Sequence, residues 1–318
     1  MHYGIVGLGP VGAMFAAHLK QAGHRVSCLD QVTHKLEVLR RNPLHISGQK
    51  EATAQLEELF SDMGEFVATQ PDVVLFCTKS CTTKEVARQL KAHGIKDSTL
   101  FVSCQNGLDV EEILAQVFGS DKTLRMILNF GVQFVNRTDV FVAFCYDQYL
   151  SKKSECGPIA EKLAVEMSEA GLSVKLVDNY KEEVFKKAIL NSALGSVCAL
   201  TRMTMKQVME EPELVRLVRE LLREAILVGE TRGYDLKSFF EPAMTYLAKG
   251  GDHKPSMLMD IERAHVTENE FHCGQMFRYA EENKVEVPVI QTIYYLIKNL
   301  ERAIILDSYV SKHYEVGG

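Results

Sequence analysis

Lys187, Asn191 and Gly195 stand four residues apart in the apolar stretch Phe185–Leu200. That spacing predicts a helix carrying all three on one face. An ammonium beside a carboxamide is a compact proton donor with an orienting partner. A solvated lysine next to Lys186 is the plain alternative. A second constellation follows in Pro255-Ser256-Met257-Leu258-Met259-Asp260 and Thr267-Glu268. Ser256 would offer a hydroxyl and helix-end N–H groups to a carboxylate. On one straight helix Ser256 and Glu268 would lie about 18 Å apart, too far to share a small molecule. Thr267-Glu268-Asn269-Glu270, however, is a capping-box pattern. It predicts a fresh helix start at Thr267 after a bend near Ala264–Val266. Two ordinary caps would account for the same residues.

Near the start of the chain, the apolar Tyr3-Gly4-Ile5-Val6 runs into Gly7-Leu8-Gly9-Pro10-Val11-Gly12 and then a helical pattern. A GxGxxG between a strand and a helix is the setting for a dinucleotide pyrophosphate. Gly7 allows the tight turn, Gly9 removes a Cβ from the phosphate path, and Gly12 permits close helix packing. Asp30 ends the next strand, Arg25–Leu29, about 20 residues on. An acid there bonds a ribose 2′-OH and repels a 2′-phosphate, which favours NAD over NADP. His34, Lys35 and Arg40 follow and would tolerate that phosphate. Lys79 and Asn106 sit just past two further apolar strands, Asp72–Cys77 and Leu100–Cys104. Open α/β sheets bind ligands at such carboxyl ends. The Asn106 amide is therefore aimed at a nicotinamide or substrate, or it merely forms a turn with Gly107.

The elements that must hold these residues divide the chain in two. Residues 1–178 read as an α/β Rossmann-type, doubly wound dinucleotide-binding domain. Further strands are expected near 44–46, 125–128, 140–145 and 173–177, and a helix near Ala54–Phe60. From 179 to 318 the strand signals stop, and an all-helical substrate and catalytic domain is expected, with a cleft between the two. The helices fall near 181–199, 204–210, 212–232, 236–249, 256–263, 267–283 and 288–306. The amphipathic stretch from Pro212 to Gly233 reads as core packing or as the seam of a homodimer.

With 318 residues, 46% hydrophobic and 25% charged, the composition suits two globular domains. A net charge of -6 argues against a nucleic-acid partner. No apolar run suggests a membrane span, and no cleavable leader is expected ahead of the first strand. The eight cysteines sit mostly in apolar stretches without a CxxC pair, as reduced thiols do in a cytoplasmic protein. His265, His272 and Cys273 lack the spacing of a metal site, so none is expected.

Taken in order, Gly7–Gly12, Lys79, Asn106 in Gln105-Asn106-Gly107, Lys187 with Asn191, and Ser256-Met257-Leu258-x-Asp260 with Thr267-Glu268 resemble the ketopantoate (2-dehydropantoate 2-) reductases. The resemblance spans nearly the whole chain, and its last block is the most specific part. It implies NAD(P)H-dependent reduction of a branched 2-keto acid, in pantothenate biosynthesis, with Lys187 as general acid. It implies that Asn106, Asn191, Ser256 and Glu268 place substrate and lysine, and that Lys79 lies near the cofactor phosphates. Two positions depart from the family. Gly195 stands where a second asparagine is usual, and Asp30-Gln31 where an arginine often meets the NADP phosphate. The first leaves room for a bulkier substrate, as in the NAD-using D-mandelate dehydrogenases of this superfamily. A β-hydroxyacid dehydrogenase would not require the Ser256…Glu268 block. A non-catalytic NAD(P)H-binding redox sensor would not require Lys187, Asn191 and Glu268 together.

Overall fold

The structure, a computed structural model, describes residues 1–153 and 156–314. The chain divides into two compact units, Met1–Tyr180 and Lys181–Gly318. The first unit opens with β1 (His2–Val6), α1 (Pro10–Gln21), β2 (Arg25–Leu29), α2 (Thr33–Arg41), β3 (Leu44–Gly48), β4 (Ala52–Ala54) and β5 (Glu58–Phe60). It continues with α3 (Met63–Ala68), β6 (Val73–Phe76), α4 (Thr83–Ala92), β7 (Leu100–Ser103), α5 (Val110–Phe118) and β8 (Thr123–Ile127). Then come β9 (Phe130–Phe134), β10 (Asp139–Cys145), β11 (Gln148–Ser151), α6 (Gly157–Glu169) and β12 (Val174–Val177).

The main sheet has the order β12-β11-β8-β7-β6-β1-β2-β5. All its pairs are parallel except β11 against β8. The central strands β1, β6, β7 and β8 are buried on both faces, as parallel strands between helices must be. Tyr3, Ile5, Val73, Leu75, Leu100 and Val102 pack with α1 and α6 on one side. Val6, Val74, Phe76 and Phe101 pack with Phe66, Ala87, Leu90 and Leu114 on the other. This is the doubly wound arrangement that the alternation of strands and helices predicts.

The 54–60 stretch corrects an expectation. It forms no helix. Ala52, Ala54 and Leu56 are buried while Thr53 and Gln55 are exposed, a strand period of two. β4 joins β3, and β5 pairs β2 at the sheet edge, with Leu59 opposite Cys28. β9 and β11 are additional strands. With β3, β4 and β10, β9 builds a second sheet of order β4-β3-β10-β9. Its inner residues Leu44, Ile46, Val140 and Val142 share the core of α1.

Among the described residues the α-helices of the second unit are α7 (Tyr180–Thr201), α8 (Met205–Glu210), α9 (Pro212–Thr231), α10 (Phe240–Ala248), α11 (Ser256–Glu262), α12 (Cys273–Glu282) and α13 (Pro288–Tyr314), with no strand between them. α7 is anchored by Phe185, fully buried, with its ring 5.3 Å from Tyr234 and 6.4 Å from Tyr279. α9 can approach it because residue 229 is glycine. A Cβ there would lie 2.7 Å from the Phe185 ring. This packing fixes the rotation of α7. Lys187, two residues on, points about 200° away from the Phe185 face.

Candidate active site

In the first unit the predicted groups gather at one edge of the main sheet. Gly7 follows β1, Asp30 follows β2, Lys79 follows β6 and Asn106 follows β7, on four adjacent parallel strands. Backbone bonds keep the strand ends in step: Gly7 N–H to the Leu29 carbonyl at 2.8 Å, Cys77 N–H to Val6 at 2.8 Å, Cys104 N–H to Phe76 at 3.0 Å.

The glycine loop fits a dinucleotide. Gly7 has φ +93°, and a Cβ there would meet the Thr78 backbone at 2.9 Å. A Cβ on Gly12 would collide with the Gly7 carbonyl. Gly9, by contrast, faces open space, with nothing among the described residues within 4 Å of a Cβ. It also caps α1, whose first turn carries Pro10 and no acid. Free N–H groups at that helix start, beside an open glycine, suit a phosphate.

Asp30 is more engaged than its position alone suggests. Its carboxylate accepts from the Leu8 N–H at 2.8 Å and the Val32 N–H at 2.9 Å. The Lys35 ammonium sits on the same carboxylate and also donates to the Leu8 carbonyl at 3.2 Å. Asp30 thus presents a neutralised pair rather than a bare anion. Lys35 is the partner that spacing does not reveal.

Lys79 is half-buried just before a 3-10 turn, Ser80–Thr82. Asn106 is half-buried, and its carbonyl accepts from the Ser80 hydroxyl at 2.7 Å. Gln105 is buried and donates to Thr83 Oγ1 at 2.6 Å. Burial pushes the nearby Cys77 thiol well above its ordinary value, with Cys104 adding to the shift. That sulfur stays protonated and is no nucleophile.

In the second unit, Lys187 and Asn191 are half-buried one turn apart on α7, and Gly195 is buried one turn further. Among the described residues, the only neighbour within 4 Å of a Cβ on Gly195 would be Pro255 Cβ, at 3.7 Å. The Lys187 face of α7 therefore runs toward the start of α11, where Ser256 is the exposed first helical residue. Lys186 looks elsewhere. Its ammonium lies 2.7 Å from Glu182 and 2.9 Å from Glu183. Burial alone would lower its pKa, but hydrogen bonds to the two carboxylates outweigh that and raise it.

The bend after α11 exists, but the capping box at Thr267 does not form. Ala264 takes φ +54°, and the His265 N–H turns back to the Asp260 carbonyl at 2.9 Å. Thr267 gives both its N–H and its hydroxyl to Glu301 on α13, at 2.8 and 2.7 Å. Glu268 is buried at the head of a 3-10 turn, Asn269–Phe271, and α12 starts only at Cys273. Glu301 outcompetes Glu270 for Thr267, a tertiary choice the local pattern cannot show. Cys198 and Cys273 are pushed up to about 12 by burial, so thiolate chemistry is absent here too. Among the described residues no group of three or more His, Cys, Asp or Glu could hold a metal.

Comparison with known proteins agrees over both units. The family model described as "Ketopantoate reductase PanE/ApbA" matches residues 3–151, and its "C terminal" counterpart matches 179–301. A 2-dehydropantoate 2-reductase from Archaeoglobus fulgidus is 26% identical over 301 residues, 93% of this chain and 97% of that protein. A PanE/ApbA family ketopantoate reductase structure from Ralstonia eutropha aligns with TM-score 0.86 at 23% identity, covering 96% of this chain and 99% of that one. A D-mandelate dehydrogenase structure with NADH and anilino(oxo)acetate aligns with TM-score 0.85 at 21% identity, over 96% and 99% of the two chains. With both halves matched in order, the chain belongs to the ketopantoate reductase family of NAD(P)-dependent oxidoreductases acting on CH–OH groups.

Proposed function

We propose that this chain reduces a branched 2-keto acid to the 2-hydroxy acid, with residues 1–178 binding the dinucleotide and residues 179–318 binding the keto acid. The observation that carries this reading is the half-buried Lys187–Asn191 pair on a face of α7 that leads to Ser256. When bound, the nicotinamide supplies hydride to the keto carbon. Lys187 holds a proton at Nζ for the oxygen that becomes an alkoxide, and its charge stabilises that oxygen as it forms. Asn191 orients the lysine. Glu268, buried nearby in sequence to Ser256, holds the ammonium or a substrate hydroxyl. Ser256 offers its hydroxyl and the α11 N-terminus to the substrate carboxylate. Asn106 presents its carboxamide to nicotinamide or substrate, Lys79 serves the phosphates, and Gly7 to Gly12 cradle them. Asp30 favours NADH, less strongly than an unpaired acid would, because Lys35 neutralises it.

A second reading concerns substrate size. The space at Gly195 supports a bulky or aromatic keto acid, as a D-mandelate-type enzyme would take. The test is the purified protein assayed with ketopantoate, aliphatic branched keto acids and benzoylformate, each with NADH and NADPH. Activity on the bulky acids should match or exceed that on ketopantoate. Gly195→Asn, whose Cβ lies 3.7 Å from Pro255 Cβ, should shift the preference toward ketopantoate by about tenfold. A large native preference for ketopantoate would refute the size argument. No cofactor oxidation with any acid would refute the enzyme reading and leave a binding protein.

A further inference from the structure

A buried arginine stands behind the Gln105-Asn106-Gly107 turn. Arg125 lies on β8, beside β7, and is 2% exposed. It donates through Nη2 to the Gly107 carbonyl at 3.0 Å and through Nη1 to Ser103 Oγ at 3.1 Å. The same Nη1 lies 3.4 Å from the carboxylate of Glu111, also 2% exposed. A charge pair taken this far from water is weak evidence of stabilisation, because an apolar pair of similar volume often does as well. What distinguishes this pair is where its bonds end. The guanidinium bonds all reach residues 103–111: the end of β7, the turn and the start of α5.

The other side of the turn is held as well. Ser80, 1% exposed, gives its hydroxyl to the Asn106 carbonyl at 2.7 Å. Gln105 accepts from Ser103 Oγ at 3.1 Å and donates to Thr83 at 2.6 Å. Gly107 takes φ +99°, a conformation that suits glycine. The carbonyls of residues 106 and 107 are thus fixed from two directions by buried side chains. None of these bonds uses the Asn106 carboxamide, which stays half-buried at the sheet edge.

We infer that Arg125 and Ser80 are positioning residues that aim the Asn106 carboxamide at its ligand. This rests on the reading of Asn106 as a ligand-binding residue. Misplacing such a group by about 1 Å can cost on the order of 100-fold.

The test compares Arg125→Lys, Ser80→Ala, Asn106→Ala and the two double variants that contain Asn106→Ala. Arg125→Lys keeps a cation for Glu111 but loses the fork. Ser80→Ala removes one hydroxyl and leaves the ion pair intact, so it carries the test if the arginine variant fails to fold. Hydrogen exchange of the peptide spanning 104–108 is measured in the ligand-free protein, and kcat/KM with ketopantoate and NADH. Each single positioning variant should speed exchange in that peptide alone and lower kcat/KM about 10- to 100-fold. Added to Asn106→Ala, each should cost almost nothing more, since the group being aimed is already gone. Equal losses with and without the Asn106 carboxamide would overturn the inference, and so would unchanged exchange with unchanged kcat/KM. A harmless Asn106→Ala beside a harmful Arg125→Lys would instead overturn the reading of Asn106 itself.

Discussion

Lys186 and Lys187 are adjacent on α7 and, about 100° apart round the helix, point in different directions. Lys186 is held by Glu182 and Glu183 and its pKa is raised, which makes it a poor proton donor near neutrality. Lys187 lies on the half-buried face shared with Asn191. Lys187→Ala should lower kcat by roughly 10²–10⁴, the usual cost of losing a general acid, with NADH affinity by fluorescence nearly unchanged. Lys186→Ala should stay within about threefold, since partly exposed ion pairs contribute little. Equal losses would mean that general positive charge, not one placed donor, matters. A second test at this scale is cofactor choice. The wild-type protein should have higher kcat/KM with NADH, and Asp30→Ala should narrow the gap. Lys35→Met should widen it by on the order of tenfold, because it unmasks a like charge facing the 2′-phosphate. A wild-type preference for NADPH would defeat the argument. Residue types and spacing pick out Asp30 and Lys187 as candidates, at the end of β2 and on α7. The bond from Lys35 to Asp30, and the parts played by Ser80 and Arg125, do not show in the sequence, because the partners lie 5, 26 and 18 positions away.

Elements were legible where one residue pattern decided them. β6 is a continuous apolar run, and α1 follows its glycines. β4 and β5 escaped because three-residue strands carry too little periodicity, and only pairing with β3 and β2 selects them. The start of α12 moved because Thr267 found Glu301. Packing between elements also sets a pH response. His2, His18 and His24 have pKa values lowered chiefly by burial. His18, on α1, bonds the Ala170 carbonyl at 2.9 Å after α6. For each, the folded value lies below the unfolded one of about 6.5, so the unfolded chain binds more protons. Their contribution is complete above that pH and is lost as pH falls through the folded values. Glu58 and Asp72 are held low by hydrogen bonds from Arg25 and Lys96, and act only at more acid pH. Thermal unfolding should therefore shift down between pH 6.5 and 5, and His18→Gln should flatten that slope. An unchanged slope in the variant would show that His18 protonates freely in the fold.

The whole molecule is two units, and each carries what its proposed task needs. The glycine loop, Asp30, Lys79 and Asn106 all lie in Met1–Tyr180, while Lys187, Asn191, Ser256 and Glu268 all lie in Lys181–Gly318. The first unit closes both faces of its own sheet, with clusters drawn entirely from residues before Tyr180. A chain of about this size can sustain such a core unaided. Residues 1–180 made alone should therefore fold and bind NADH, within about tenfold of the intact protein's affinity, because the pyrophosphate cradle is local to one β-strand, loop and helix. The same fragment should oxidise no NADH with any keto acid, since it lacks the lysine. Circular dichroism and fluorescence titration give the two readouts. A fragment that folds but does not bind would mean that the dinucleotide requires residues beyond 180, and the division of labour between the units would fall. A fragment that turns over keto acid would remove Lys187 from the chemistry altogether.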